Sequence, residues 1–302
     1  MKFFKKEFIL LFEIVLIILL LVINVNVENR LLQKKQMNAF YQETVLETVK
    51  SVPSTLTNTR IAQVIQSATS VNSTPEPVVI DEDWEPFEKK ESYLIAIIGD
   101  SMVETMGGNL EYLKEELENK YPDAVFVYYN FGKGSENVEE GLARFDDDYS
   151  HSGRSFQSVP TINPDILVVG SYAYNPFSPH DKNKHWSLLG DMVKRAQGTD
   201  ARVYMLAEIA PLAVGFGKGV GGVNWPEDKA HEHSKTIIEQ LENAIGLAGT
   251  LGVDLIDAYN PSRVEDSSFG IIEYVDGHDG IHPSIEGHIF MAKLIADKIE
   301  AP

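Results

Sequence analysis

The 302-residue chain contains no cysteine. This absence excludes disulfides, catalysis by a thiolate and zinc sites with cysteine ligands. Positive charge is also scarce, since 26 Lys and Arg residues stand against 45 Asp and Glu residues and the formal net charge is −19. Nucleic-acid binding needs clustered positive charge to neutralise phosphates, so the composition argues against it and against adhesion to anionic lipid headgroups.

The sequence also has no internal repeat and no phosphate-binding loop. The glycine-rich stretch GFGKGVGGVNW at 215–225 lacks the order G-x-x-x-x-G-K-[ST], and Trp225-Pro226 separates its glycines from the helix that follows. We expect instead a mobile loop, which acts as a lid over a binding site or shapes its pocket.

A metal site is disfavoured as well. The stretch DKAHEHSK supplies His231, Glu232 and His233, and other residues are also suitable in type: Asp276, His278 and Asp279. On a helix, however, positions i and i+2 do not share a face, so the two histidines cannot easily bind one ion. We therefore expect neither a metal nor a cofactor.

The N-terminal region predicts a membrane anchor. Residues 1–7 are basic, and residues 8–27 are an apolar run long enough to cross a hydrocarbon core of about 30 Å. No small-residue cleavage site follows the run, so we interpret it as uncleaved; a cleaved signal peptide is the alternative. Residues 28–91 predict a stalk, partly helical or disordered. The Lys and Arg residues that flank the apolar run are equal in number on its two sides, so they do not indicate its orientation. We expect the domain 92–302 on the extracytoplasmic side because of the stalk.

From Tyr93 onward, apolar strands alternate with amphipathic helices. The predicted strands are Tyr93–Ile98, Ala124–Asn130, Asp165–Gly170, Arg202–Glu208 and Val253–Asp257. The predicted helices are Gly108–Lys120, Ser135–Phe145, Lys184–Gln197, Pro226–Leu251 and Ser284–Glu300. This alternation indicates a three-layer α/β/α sandwich around a parallel, flavodoxin-like sheet. In such sheets, ligands bind beyond the carboxyl ends of the strands.

Polar residues collect at those carboxyl ends. Ser101 follows the first strand, Gly132 the second and Asn175 the third, while Asp279 and His282 precede the last helix. A serine hydroxyl needs an imidazole to take its proton, and the imidazole needs a carboxylate on its other nitrogen. We therefore predict Ser101 as nucleophile, His282 as base and Asp279 as its partner. The backbone N–H groups of Ser101 and Gly132 and the side-chain amide of Asn175 are the predicted oxyanion donors.

Each of these assignments has an alternative. Asp100-Ser101 after a strand is also typical of a helix N-cap. His278 and His288 compete with His282, although His278 directly precedes the acid and His288 lies on the last helix. We expect Tyr174 and Trp225 to contact substrate, together with Tyr172, Phe177 and Trp186, and the alternative for these aromatic residues is core packing.

The motifs resemble those of the SGNH hydrolases, also called the GDSL-type esterase/lipase superfamily. GDSM at 99–102 resembles the first sequence block, NFG at 130–132 the second, and DGIHP at 279–283 the fifth. The third block departs from the usual G-x-N-D, because Gly170 is followed by Ser-Tyr-Ala-Tyr before Asn175. The resemblance spans about Tyr93 to Lys298 and implies an oxyanion role for Gly132 and Asn175.

Together these observations predict a membrane-anchored serine esterase. It would hydrolyse short-chain esters, such as O-acetyl groups, through an acyl-Ser101 intermediate. The expected partners are an ester substrate, such as acylated cell-envelope polysaccharide or lipid, and the membrane itself. The alternatives are an O-acyltransferase with the same triad and a non-catalytic carbohydrate-binding module.

Overall fold

The structure is a computed structural model, and it describes residues 90–300. The predicted anchor at 8–27 and nearly all of the predicted stalk lie outside the described residues. Within residues 90–300, no helix is long and apolar enough to cross a membrane. The anchor and the domain boundaries therefore stay predictions.

A parallel sheet forms the centre of the described region. In residues 90–300 the strands are β1 (Tyr93–Gly99), β2 (Phe126–Gly132), β3 (Tyr149–His151), β4 (Arg154–Phe156), β5 (Ile166–Gly170), β6 (Arg202–Ala207) and β7 (Asp254–Asp257). The sheet order is β2-β1-β5-β6-β7, with every pair parallel, while β3 and β4 form a separate antiparallel hairpin. Without the hairpin this is the flavodoxin-like order 2-1-3-4-5, as predicted.

Helices cover both faces of the sheet. In the same part of the chain they are α1 (Ser101–Glu104), α2 (Glu111–Lys120), α3 (Val138–Ala143), α4 (Val159–Ile162), α5 (Lys182–Gln197), α6 (Glu227–Leu251) and α7 (Ile285–Lys298). Helix α2 packs against α7 on one face, and α5 packs against α3 and α6 on the other. The predicted three-layer α/β/α sandwich is confirmed.

Burial explains why these segments form strands. Ile95 and Ile97 of β1 enter the hydrophobic cluster on one face, and Ala96 and Ile98 enter the cluster on the other. All five residues of β5 are buried as well. Successive side chains of a strand point to opposite faces, so a strand covered on both faces must be apolar throughout.

Two details differ from the prediction. Strand β2 lies two residues later than expected at both ends, which makes Gly132 its last residue rather than part of the following turn. The hairpin β3–β4 was not predicted, because its three-residue strands are too short and too exposed to show a hydrophobic period.

Candidate active site

Strand β1 delivers Ser101 to the carboxyl edge of the sheet. Asp100 is the N-cap of α1, and its side chain accepts a hydrogen bond from the backbone N–H of Met102 at 2.9 Å. Ser101 is the first residue of the helix, so the capping role falls to Asp100 and the serine hydroxyl is not used for it. The sharp change from strand to helix needs glycine before it, since a Cβ at Gly99 would lie 2.3 Å from Cγ2 of Val103.

Asp279 and His282 form a hydrogen-bonded pair within one turn. Nδ1 of His282 lies 2.6 Å from Oδ2 of Asp279. The other carboxylate oxygen of Asp279 accepts backbone N–H groups from Ile281 at 2.7 Å and from His282 at 2.9 Å. These bonds fix the carboxylate, which in turn fixes the imidazole ring so that Nε2 is the nitrogen left for a substrate or nucleophile.

The pKa shifts of this pair follow from the same contacts. Burial lowers the pKa of His282, but the hydrogen bond and charge of Asp279 outweigh burial and leave that pKa above its ordinary value. Burial also raises the pKa of Asp279, and the hydrogen bonds from the His282 side chain and from the backbone outweigh it, so that pKa is lowered. The pair therefore favours a carboxylate beside an imidazole that readily accepts a proton.

One pocket of about 530 Å³ brings most of the predicted site residues together. Its lining includes Ser101, His282, Asn175, Tyr174 and Trp225. Among the described residues, no hydrogen bond joins the Ser101 hydroxyl to His282. Such bonds are often long before substrate binds, and the volume is typical of a small-molecule site.

The lining of the pocket combines polar and apolar side chains. Polar ones come from α1 and from the turn after β2: Glu104, Thr105, Ser135 and Asn137. Apolar ones come mainly from the loop after β6 and from the turn before α7: Phe216, Val223, Trp225 and Ile281. An ester bound in this pocket would thus meet both kinds of side chain.

Gly132 does not line the pocket, and its contacts do not favour the predicted oxyanion role. Its N–H donates to the side-chain oxygen of Asn130 at 2.8 Å, and a Cβ there would lie 2.1 Å from the backbone nitrogen of Glu104. Gly132 is therefore required for close packing of β2 against α1. Gly134 lines the pocket instead, and a Cβ on it would lie 3.7 Å from Cβ of Ser101.

The carboxylate of Glu104 accepts a hydrogen bond from the backbone N–H of Gly134. Oε2 of Glu104 accepts this N–H at 2.6 Å, and Oε1 lies 2.7 Å from Nε2 of His151 on the hairpin. Sequence reasoning missed both side chains. Glu104 stands three residues after Ser101, a position where the motif gives no signal, and His151 lies in the hairpin that hydrophobic patterning could not detect.

Two buried carboxyl groups hold Asn175 and its loop in place. Its side-chain amide donates to Oδ2 of Asp100 at 3.1 Å. The loop that carries it starts at Ser171, whose N–H donates to Oε1 of Glu208 at 3.0 Å and whose hydroxyl donates to Oε2. Glu208 and Asp100 are fully buried. Burial raises the pKa of both carboxyls, and the charge of Asp100 raises that of Glu208 further.

Glu208 is a third residue for which the sequence predicted no role. It was predicted as the end of an apolar strand, and a single acid at such a position is a usable signal, because isolated buried carboxylates are costly. In the structure it directly follows β6, and Tyr174 donates its hydroxyl to the carbonyl of Ile209 at 2.8 Å. The end of β6 therefore anchors the Asn175 loop at two points.

The predicted aromatic residues separate into two groups. Tyr174 and Trp225 line the pocket, and Trp225 packs edge-on against His233 with 5.0 Å between ring centroids. Tyr172 is fully buried in the core. Phe177 and Trp186 do not line this pocket; they contact Lys184 and Gly246 respectively. Core or surface packing is the better interpretation for these three.

The competing histidines also have other contacts. His288 stacks on Tyr112 at 5.5 Å, and burial lowers its pKa to about 4. His278 is exposed on the turn, where its N–H donates to Asp276. His231 bonds through Nδ1 to the carbonyl of Ala213, while His233 lines the pocket. Within residues 90–300, no group of three or more suitable side chains is arranged to hold a metal ion.

An α/β/α sandwich with a serine, a histidine–aspartate pair and an asparagine at one sheet edge defines the SGNH class of hydrolases. The family model described as GDSL-like Lipase/Acylhydrolase matches residues 95–295, and the chain belongs to this family. The protein is thus a hydrolase of the SGNH superfamily, as the motifs predicted. No curated protein sequence matches the chain.

Several solved structures are similar to this chain in fold. A GDSL-like lipase from Parabacteroides merdae is 15% identical, with a TM-score of 0.50 over 71% of this chain and 98% of that one. The lipase/acylhydrolase from Enterococcus faecalis is 17% identical, with a TM-score of 0.49 over 68% and 95%. A GDSL-like lipase from Bacteroides thetaiotaomicron is 16% identical, with a TM-score of 0.48 over 68% and 86%. At these identities the likeness concerns the fold.

Proposed function

We propose that the protein is a serine esterase in which Ser101 attacks the ester carbonyl. The observation that carries the proposal is the 2.6 Å contact between His282 and Asp279, in a pocket that Ser101 also lines. In the first step His282 takes the hydroxyl proton through Nε2 as the Oγ–carbonyl bond forms. The same proton then passes to the leaving alcohol as the ester C–O bond breaks, which leaves an acyl-Ser101 intermediate.

Water completes the cycle by the reverse sequence. His282 takes a proton from water, the hydroxide attacks the acyl carbon, and the proton returns to Ser101 as the acid leaves. Asp279 stays ionised throughout and holds the imidazolium that forms in each half-reaction. The lowered pKa of Asp279 and the raised pKa of His282 support these roles.

Three donors are proposed for the oxyanion of the tetrahedral intermediate. They are the backbone N–H of Ser101, the side-chain amide of Asn175 and the backbone N–H of Gly134, which replaces Gly132 in this role. Asn175 is well suited, since Asp100 holds one end of its amide and the side chain lines the pocket. Gly134 can donate only when Glu104 releases its N–H.

The proposed substrates are short-chain esters, such as O-acetyl groups on cell-envelope polysaccharide. Support comes from the polar side chains in the pocket lining, since Glu104 and Asn137 are poor neighbours for a long apolar chain. The proposed location is a single-pass membrane protein, with residues 8–27 as anchor and domain 92–302 on the extracytoplasmic side. Support for the location comes from the apolar run and the stalk composition.

The test compares the full-length chain with Ser101→Ala, both purified in detergent and assayed on nitrophenyl acetate, butyrate and palmitate. Loss of a triad member typically costs on the order of 10⁴–10⁶ in rate. We expect the parent to hydrolyse acetate best and the variant to be inactive. Equal activity of the two proteins would refute the serine mechanism, and turnover only with an added acceptor alcohol would indicate acyl transfer instead.

A further inference from the structure

The glycine-rich segment 215–225 is hydrogen-bonded to the turn that carries the proposed acid and base. The N–H of Gly217 donates to the carbonyl of Gly280 at 3.0 Å, and the N–H of Gly221 donates to the carbonyl of His278 at 2.9 Å. These bonds bracket Asp279. The backbone of this loop is therefore tied to the turn that carries Asp279 and His282.

The contact between loop and turn leaves no room for side chains. A Cβ at Gly219 would lie 2.1 Å from the carbonyl oxygen of His278, and one at Gly222 would lie 2.7 Å from that of Asp279. From the other side, a Cβ at Gly280 would lie 2.4 Å from the carbonyl oxygen of Gly215. Gly219 also has φ of +146°, which a residue with a side chain rarely adopts. The glycines are thus needed for backbone-to-backbone packing against this turn.

Asn224 holds the loop in this shape from within. Its side-chain amide donates to the carbonyls of Gly219 at 2.8 Å and Gly222 at 2.9 Å, and its backbone N–H donates to Gly217 at 2.8 Å. The neighbouring side chains Val223 and Trp225 line the same pocket as His282. The same loop therefore forms a wall of the pocket and a support for the turn.

We propose that the segment 215–225 is a positioning element for the reaction, which packs against residues 278–280 and fixes Asp279 and His282 in their working geometry. This inference rests on the proposed function. Displacement of a reacting group by about 1 Å can cost on the order of 10²-fold in rate, even when the change lies far from the chemistry. A loop that fixes the turn should therefore affect kcat more than KM.

The test uses Gly219→Ala and Asn224→Gly in the full-length protein. Gly219→Ala drives the loop away from His278, whereas Asn224→Gly removes the internal amide bonds and tolerates the φ of +51° at that position. We expect each variant to lose kcat, on the order of 10²-fold for Gly219→Ala, with little change in KM. We also expect the downfield NMR signal of the proton between His282 Nδ1 and Asp279 Oδ2 to broaden or vanish.

Gly277→Ala is the matched control, because Gly277 lies on the same turn and a Cβ there meets nothing within 4 Å. It should keep both the parent's kcat and the NMR signal. Should Gly219→Ala fail to fold, Asn224→Gly decides, since Asn224 is exposed. Parent-like kcat and signal in the loop variants would overturn the inference. The signal needs no turnover, so it tests the inference even if the Ser101→Ala comparison refutes the esterase proposal.

Discussion

At the scale of single residues, the ionisation of His282 sets the pH range of the proposed base. Burial lowers its pKa, but the hydrogen bond and charge of Asp279, with further contributions from Asp100 and Asp276, raise that pKa above the ordinary 6.5. A base must be neutral to accept a proton, so kcat/KM should increase with pH through a midpoint above 6.5. A pH–rate profile of the parent on nitrophenyl acetate measures this midpoint.

The variant Asp279→Asn tests the origin of the shift. It removes the charge and the acceptor on Nδ1, so an NMR titration should give His282 a lower pKa than in the parent. In the parent, the raised pKa means that the pair stabilises the fold fully below pH 6.5 and loses this contribution as the pH increases through the pKa of His282. An unchanged pKa in Asp279→Asn would contradict the assigned cause.

A second residue-scale prediction concerns Glu104. Its carboxylate holds the N–H of Gly134, so Glu104→Ala should free this N–H for the oxyanion and increase kcat/KM. Removal of one oxyanion donor costs about 10²–10³ in other enzymes, and this range is the upper limit of the gain. Glu104→Gln is the matched control, because its amide oxygen can still accept the N–H and should give little gain. A large loss of activity in Glu104→Ala would show instead that the carboxylate binds substrate.

Gly132 was the predicted oxyanion donor, and the structure favours Gly134 instead. This difference shows what the sequence could and could not determine at the scale of single residues. The spacing of NFGKG places two glycines after a buried strand, and either could approach the nucleophile. The choice depends on Asn130, whose side chain accepts the N–H of Gly132. A side-chain hydrogen bond of this kind has no periodicity and leaves no pattern in the sequence. Ser101, Asp279 and His282 were predictable because strand ends and one short turn were enough to place them together.

At the scale of secondary-structure elements, the apolar strands and amphipathic helices of the sandwich were predictable because both repeat along the chain. The hairpin β3–β4 was not, since its strands are short and exposed. It nevertheless brings His151 to Glu104. The support of the Asn175 loop by the end of β6 was also hidden, because it joins residues 37 positions apart, Ser171 and Glu208.

This support gives an element-scale prediction. Glu208→Ala leaves the Ser171 N–H and hydroxyl without their acceptors in a fully buried position, which costs roughly 1–3 kcal/mol for each unsatisfied group. The unfolding free energy should decrease accordingly, and kcat should decrease because Asn175 loses its fixed position. Glu208→Gln keeps an oxygen for the Ser171 N–H and should retain more of both quantities. Denaturant unfolding and steady-state kinetics measure them, and equal losses in the two variants would contradict the account.

At the scale of the whole molecule, the net charge opposes membrane association, whereas the N-terminal apolar run favours it. A formal charge of −19 repels anionic lipid headgroups, so surface attraction cannot hold the protein on a membrane. The apolar run at 8–27 can do so by burial in the hydrocarbon core, which salt does not weaken. Membrane binding by electrostatic attraction should therefore weaken with ionic strength, whereas binding by burial of residues 8–27 should not.

The last prediction follows from this difference. The full chain should remain in the membrane fraction after washing with concentrated salt, and a variant without residues 1–27 should appear in the soluble fraction. Protease added to intact cells or spheroplasts should release domain 92–302 by cleavage in the stalk if the domain faces outward. Release of the full chain by salt would contradict the anchor, and protection from protease would contradict the proposed orientation. Either result would leave the esterase assay on Ser101 unaffected, because that assay depends on the pocket alone.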